Sequence, residues 1–148
     1  MQDNNRKRRK PPITVSRFDH ERLSRLAQAS SDRFPEAAEE LLGELDRARI
    51  SRSGTPPDVV SMGSTVVFKP DTGPEKTVTL VFPADADISS GKVSILTPIG
   101  TALLGLSPGQ SMGWTARDGR HHELTVIAVT HSSEAEGGAP AGAEEARQ

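Results

Sequence analysis

The chain has 148 residues, a formal net charge of -2, 34% hydrophobic residues and only 3% aromatic ones. With four Phe, one Trp, no Tyr and no Cys, a large aromatic core, disulfides and thiolate metal sites are excluded, so the core must rest on Val, Ile and Leu. The length suits one ordinary domain or a small domain with an appendage. No apolar run of about 18 residues is present to span a membrane. The charged N-terminus lacks the apolar stretch of a secretory signal, so a cytoplasmic protein is expected.

Charge is distributed unevenly. Arg6, Lys7, Arg8, Arg9 and Lys10 crowd the start, and Glu134, Glu136, Glu144 and Glu145 follow Ser133 at the end. Both ends lack apolar periodicity, which predicts a disordered basic tail over 1–14, closed by Pro11 and Pro12, and a disordered acidic tail over 133–148. Two helices are expected over 15–50. Ser16 can cap the first, with Asp19 three residues on near the positive end of the dipole. Phe18, Leu23, Leu26 and Ala27 form a rough apolar stripe along it. Pro35 cannot sit inside that helix but fits the first turn of a second. Phe34, Ala38, Leu41, Leu45 and Ala48 then mark one helical face. Two helices with a short connection predict an antiparallel hairpin, a short coiled coil.

A Ser-, Gly- and Pro-rich linker, 51–58, precedes a change to period two. Val66 and Phe68 share one side of a strand. Pro70 to Pro74 is turn chemistry, and Val78, Leu80 and Phe82 face one way on the next strand. Val93, Ile95 and Leu96 suggest a short strand. Pro98 opens a short helix ended by Gly105. Ser111–Ala116 and Glu123–Thr130 read as strands flanking an Asp118-Gly119 hairpin turn. The second unit, 59–132, is thus a small, mostly antiparallel sheet with one helix, and the fold class is α+β.

Candidate chemistry is sparse. Asp71-Thr72-Gly73 is the aspartic-protease tripeptide, but such an enzyme needs two carboxylates, and flanking prolines favour a plain turn. Gly91-Lys92 lacks the Gly and Ser/Thr of a phosphate loop. His121 and His122 are strand neighbours pointing to opposite faces, so they do not share a metal. The basic cluster can make nonspecific phosphate contacts with nucleic acid but has no interleaved aromatics for stacking. Asp32, Glu36, Glu39 and Glu40 gather near the hairpin tip. Paired carboxylates there can attract Mg²⁺, although ordinary charge at a helix start is the simpler account. No catalytic residue, metal site or cofactor is expected.

Ser94-Ile95-Leu96-Thr97-Pro98-Ile99-Gly100-Thr101-Ala102-Leu103-Leu104-Gly105, followed by Gly109, resembles the C-terminal domain of the Gre transcription elongation factors. Asp71-Thr72-Gly73, Pro83 to Asp87 and Asp118-Gly119 fall in the order that family shows. Gln110 departs from the acid usual after the Gly. Glu44 to Ala48 and Pro57 to Met62 resemble the branch of regulators of nucleoside diphosphate kinase. The resemblance spans roughly 13–132 and implies an FKBP-like sheet domain behind a helical hairpin. It further implies a monomer that docks at the rim of the RNA polymerase secondary channel through Leu96, Thr97, Pro98 and Ile99, with Asp32 and Glu36 at the hairpin tip. Cleavage factors of the family often carry a polar or acidic residue where Leu96 stands. Their arms are about twice as long as the 12 to 15 residues read here, which span roughly 18 to 22 Å. The implied regulator competes with Gre factors without stimulating cleavage. A prolyl isomerase on the same fold and a nucleic-acid-binding module acting through the basic tail are the competing readings.

Overall fold

The computed structural model describes residues 10–54, 56–116 and 118–131. The acidic tail, and the basic tail up to Arg9, lie outside the described residues.

Helix α1 spans Arg17–Ser30 and helix α2 spans Pro35–Arg47. The Ser16 hydroxyl accepts a hydrogen bond from the Asp19 amide at 3.1 Å, which satisfies one of the free donors at the start of α1. Pro35 takes the first turn of α2, where no intrahelical amide is needed. The start of α1 meets the end of α2: His20 Nε2 lies 3.1 Å from the Leu45 carbonyl. Leu23 and Ala27 from one helix and Ala38, Leu41 and Leu45 from the other are buried. Phe18 and Phe34, expected on these apolar faces, are 66% and 49% exposed. The helical period explains Phe18. Leu23 and Ala27 share a face with Asp19, whereas Phe18 lies beside Arg22, whose guanidinium carbon sits 4.5 Å from the Phe18 ring centroid. Phe34 precedes α2 and belongs to the tip.

The basic tail expected over 1–14 ends earlier than its charge pattern predicts. Ile13 and Val15 are buried, and strand β1, Thr14–Ser16, pairs in parallel with β2, Arg49–Ser51. Ser51, assigned to the linker, is in that pair.

The main sheet contains β3 (Ser64–Pro70), β4 (Lys76–Val81), β5 (Lys92–Ser94), β6 (Ser111–Thr115) and β7 (His121–His131), in the spatial order β5-β4-β3-β7-β6. All neighbours are antiparallel except β4 and β5. Ser64, Val66 and Phe68 alternate inward from β3, as period two requires, and a register shift follows at Val67/Phe68. Helix α3, Pro98–Leu103, buries Gly100 through Leu103. The architecture is mixed α+β, with the two longer helices in the N-terminal part.

Helices and sheet share one core. Leu23, Leu41 and Leu45 join Val66, Phe68, Leu80, Leu103 and Leu124 in a single buried cluster. A polar clasp reinforces the junction. Asp19 accepts from the Met62 amide at 3.2 Å and from Arg22 at 3.0 Å, and the Arg22 guanidinium also stacks 4.7 Å from Phe82. Glu44 is 3% exposed and held by Lys10 at 2.6 Å and Arg47 at 2.8 Å. No helix among the described residues is long and apolar enough to cross a membrane.

Candidate protein-docking site

The step from β5 into α3 is held from within. Ser94 Oγ accepts from the Leu96 amide at 3.0 Å, and the Ser94 carbonyl accepts from the Thr97 hydroxyl at 2.7 Å. Thr97 Oγ1 accepts in turn from the Gly100 amide at 3.1 Å, capping α3, while Pro98 takes its first turn. Thr101 donates to the Ile95 carbonyl at 2.8 Å. A Cβ on Gly100 would collide with the Ser94 carbonyl, so only glycine lets the helix start this close to the strand.

Of the four residues singled out for docking, Leu96 is 7% exposed and belongs to the core. The chain turns after Ile95, so both consecutive apolar side chains are buried, and the strand alternation that would expose one is lost. The Thr97 hydroxyl is committed to the cap. Pro98 and Ile99 are half-buried and offer apolar surface.

Beside Pro98 lies a groove of about 680 Å³, bounded by α2 at Glu40 and Glu44, by α3 at Thr101, and by Met112 and Trp114 of β6. Trp114 stacks on His122 with ring centroids 4.9 Å apart. His122 Nδ1 lies 3.7 Å from the Asp71 carboxylate, whose other oxygen accepts from the Glu123 amide at 3.0 Å. Asp71-Thr72-Gly73 is therefore a turn tied to β7, with Lys69 donating to the Gly73 carbonyl at 2.9 Å. His121 is directed elsewhere, 2.9 Å from the Thr115 hydroxyl. Gly91, at φ 75°, closes the turn Ile88–Ser90, where Ser89 and Ser90 hydroxyls hold the Asp87 carboxyl below its ordinary range.

Sequence reasoning missed the Trp114–His122–Asp71 arrangement, because only strand register brings those residues together. It also missed buried Glu44. Its signal was present in the spacing, since Glu44 lies on the same face as Leu41 and Leu45. At the far end of the helices, Asp32 and Glu36 are both exposed, as is Arg33. Among the described residues no three or more His, Asp or Glu side chains gather as metal ligands.

A model of the C-terminal part of the transcription elongation factors GreA and GreB matches residues 55–131, and a model of the Rnk N-terminus matches 11–50. The chain belongs to the GreA/GreB family. Within it, the chain is 35% identical over 130 residues to the regulator of nucleoside diphosphate kinase of Escherichia coli strain K12, covering 86% of this chain and 96% of that protein. A solved GreA/GreB elongation factor from Nitrosomonas europaea is 39% identical, with a TM-score of 0.63, covering 80% of this chain and 99% of that one. Transcription elongation factor GreA of Thermosipho africanus is 34% identical over 85 residues, only 54% of its length. This GreA/GreB member is thus homologous to the regulator over nearly the whole regulator. Its relatives are named as regulators or transcription factors.

Proposed function

We propose that this GreA/GreB member binds RNA polymerase at the rim of the secondary channel and competes there with Gre cleavage factors without stimulating transcript cleavage. The observation that carries the reading is the length of the helices. With 14 and 13 residues they rise about 20 Å, and their inner faces are partly spent on the common core. Cleavage requires carboxylates delivered to a catalytic metal, where a bound water becomes the nucleophile. Asp32 and Glu36 sit at the tip of a prong half the length that the family resemblance assigns to cleavage factors. Docking falls to Pro98 and Ile99, an apolar step fixed by the Thr97 cap and backed by Leu96. The protein works as a monomer in the cytoplasm, where the polymerase is.

The test is competition with a Gre factor for core polymerase, read alongside cleavage of backtracked RNA. The expected result is displacement of the Gre factor and slower cleavage. Faster cleavage, or no association with polymerase, overturns the proposal. Pro98→Asp places a charge on the apolar step and should weaken binding by about tenfold or more while the domain stays folded. Unchanged affinity removes this surface from the account.

A further inference from the structure

The groove beside Pro98 has a floor and a rim of different chemistry. Met112 and Trp114 lie two residues apart on β6, so they share one side of the strand, and both line the groove together with Ala102 of α3. Trp114 is half-buried against the core, and the His122 ring stacked on it fixes its orientation. A tryptophan held in this way is a broad apolar surface of the kind that anchors protein partners.

The rim is acidic. Glu40 and Glu44 of α2, Asp71 and Glu123 surround the floor, against a single ammonium, that of Lys10, among the described residues. Lys10 is already committed to Glu44, which Arg47 also holds. Glu40 and Glu123 are exposed and join no ion pair among the described residues. These carboxylates come from a helix, a turn and a strand far apart in the chain, so the fold and not an acidic run of sequence assembles the field. A concave, partly apolar wall concentrates such a field on whatever enters.

We propose that this groove takes a basic protein segment of the polymerase, one that carries Lys or Arg beside a large apolar side chain. The inference rests on the docking reading above, because Pro98 lines the groove and a partner seated on Pro98 extends directly onto Trp114. The apolar side chain covers Met112 and Trp114, and the flanking cations meet Glu40 and Glu123. Nucleic acid is the wrong partner for this surface, since its phosphates carry the same sign as the rim. Rim charge of this kind acts on association rate and salt dependence, while the covered apolar floor sets how long the partner stays.

Binding of the full chain to core polymerase, measured across a range of salt concentrations, tests the proposal. Glu40→Lys with Glu123→Lys should weaken affinity by about tenfold or more, mainly through slower association, and flatten its salt dependence. Glu40→Gln with Glu123→Gln, which keeps the shape, should fall between this variant and the parent. Glu21→Lys with Asp58→Lys makes the same change in net charge at exposed positions outside the groove, and should stay within about twofold of the parent. Circular dichroism shows that each variant is folded. If the groove pair loses no more than the remote pair while Pro98→Asp still weakens binding, the groove assignment falls and docking at Pro98 stands. No association of the parent with polymerase overturns both. A reversal that weakens binding only while residues 1–9 are present shows that the carboxylates act on the chain's own basic start, and overturns the proposal as well. So does a parent that sediments as a dimer and a reversed variant that sediments as a monomer, because the occupant is then a second copy.

Discussion

Gly100 and Glu44 carry structural demands that their side-chain chemistry alone does not announce. Gly100 sits where α3 starts against the Ser94 carbonyl, a separation that leaves no volume for a methyl group. Gly100→Ala should lower stability by about 1–3 kcal/mol through overpacking, measurable by urea unfolding. Glu44 is a buried acid clasped by two cations, Lys10 being half exposed and Arg47 more enclosed. Glu44→Ala leaves both cations without their carboxylate, but Lys10 stays partly hydrated and Arg47 keeps the Pro11 carbonyl, so the expected loss is about 1–3 kcal/mol, smaller than for a fully buried pair. A stability unchanged in either variant would show that the surrounding backbone yields more readily than its hydrogen bonds imply. At this scale apolar identity misled: Phe18 and Phe34 look like core residues by type, yet both are exposed, whereas Asp19 and Glu44 are buried. Position around the helix decides burial, and the packed partner decides which face is inward.

Elements long enough to display a period were legible. The alternation of Ser64, Val66 and Phe68 marks β3, and the spacing of Ala38, Leu41 and Leu45 marks α2. The Ser16 cap was legible as well, because capping is chemistry local to four residues. Ser16→Ala should cost about 1 kcal/mol, seen as a lower thermal midpoint with α1 still formed. A larger loss would mean that Ser16 also holds the β1 strand in place. What escaped were the short pieces. Strands β1 and β2 have three residues each, too few to display a period, and their pairing is a parallel contact between distant segments. Ile13 and Val15 lay next to Pro11, Pro12 and a run of cations, so their burial was masked by the composition around them. Within the candidate site, the Thr97-Pro98 step was visible through local residues and the family resemblance. The groove beside it was not, since its walls come from α2, α3 and β6.

For the molecule as a whole, the continuous core makes helices and sheet one cooperative unit. Helical circular dichroism and the fluorescence of Trp114, the single tryptophan, should therefore lose their native signals in coincident urea transitions. Two separated transitions would mean that the helices fold as an independent appendage. A prong whose inner face is committed to the core is a stiff and short one, which is the property that the proposed competition with cleavage factors needs. Stiffness also makes reach a fixed quantity: about 20 Å of helix cannot be extended by local unfolding without losing Leu23, Leu41 and Leu45 from the core.

By itself the sequence determined the α+β class, the two helices, the longer strands, the Ser16 cap of the first helix and the family, because these rest on interactions within a few residues or on contiguous motifs. Only the tertiary structure decided that Leu96 is interior, that Asp71 braces β7 and His122, that residues 13–16 close against 49–51, and that β6 is the outer strand of the sheet among the described residues. Each of those depends on contacts between segments far apart in the chain. Their pairing is set by the packing and register of the whole fold, to which no local pattern answers.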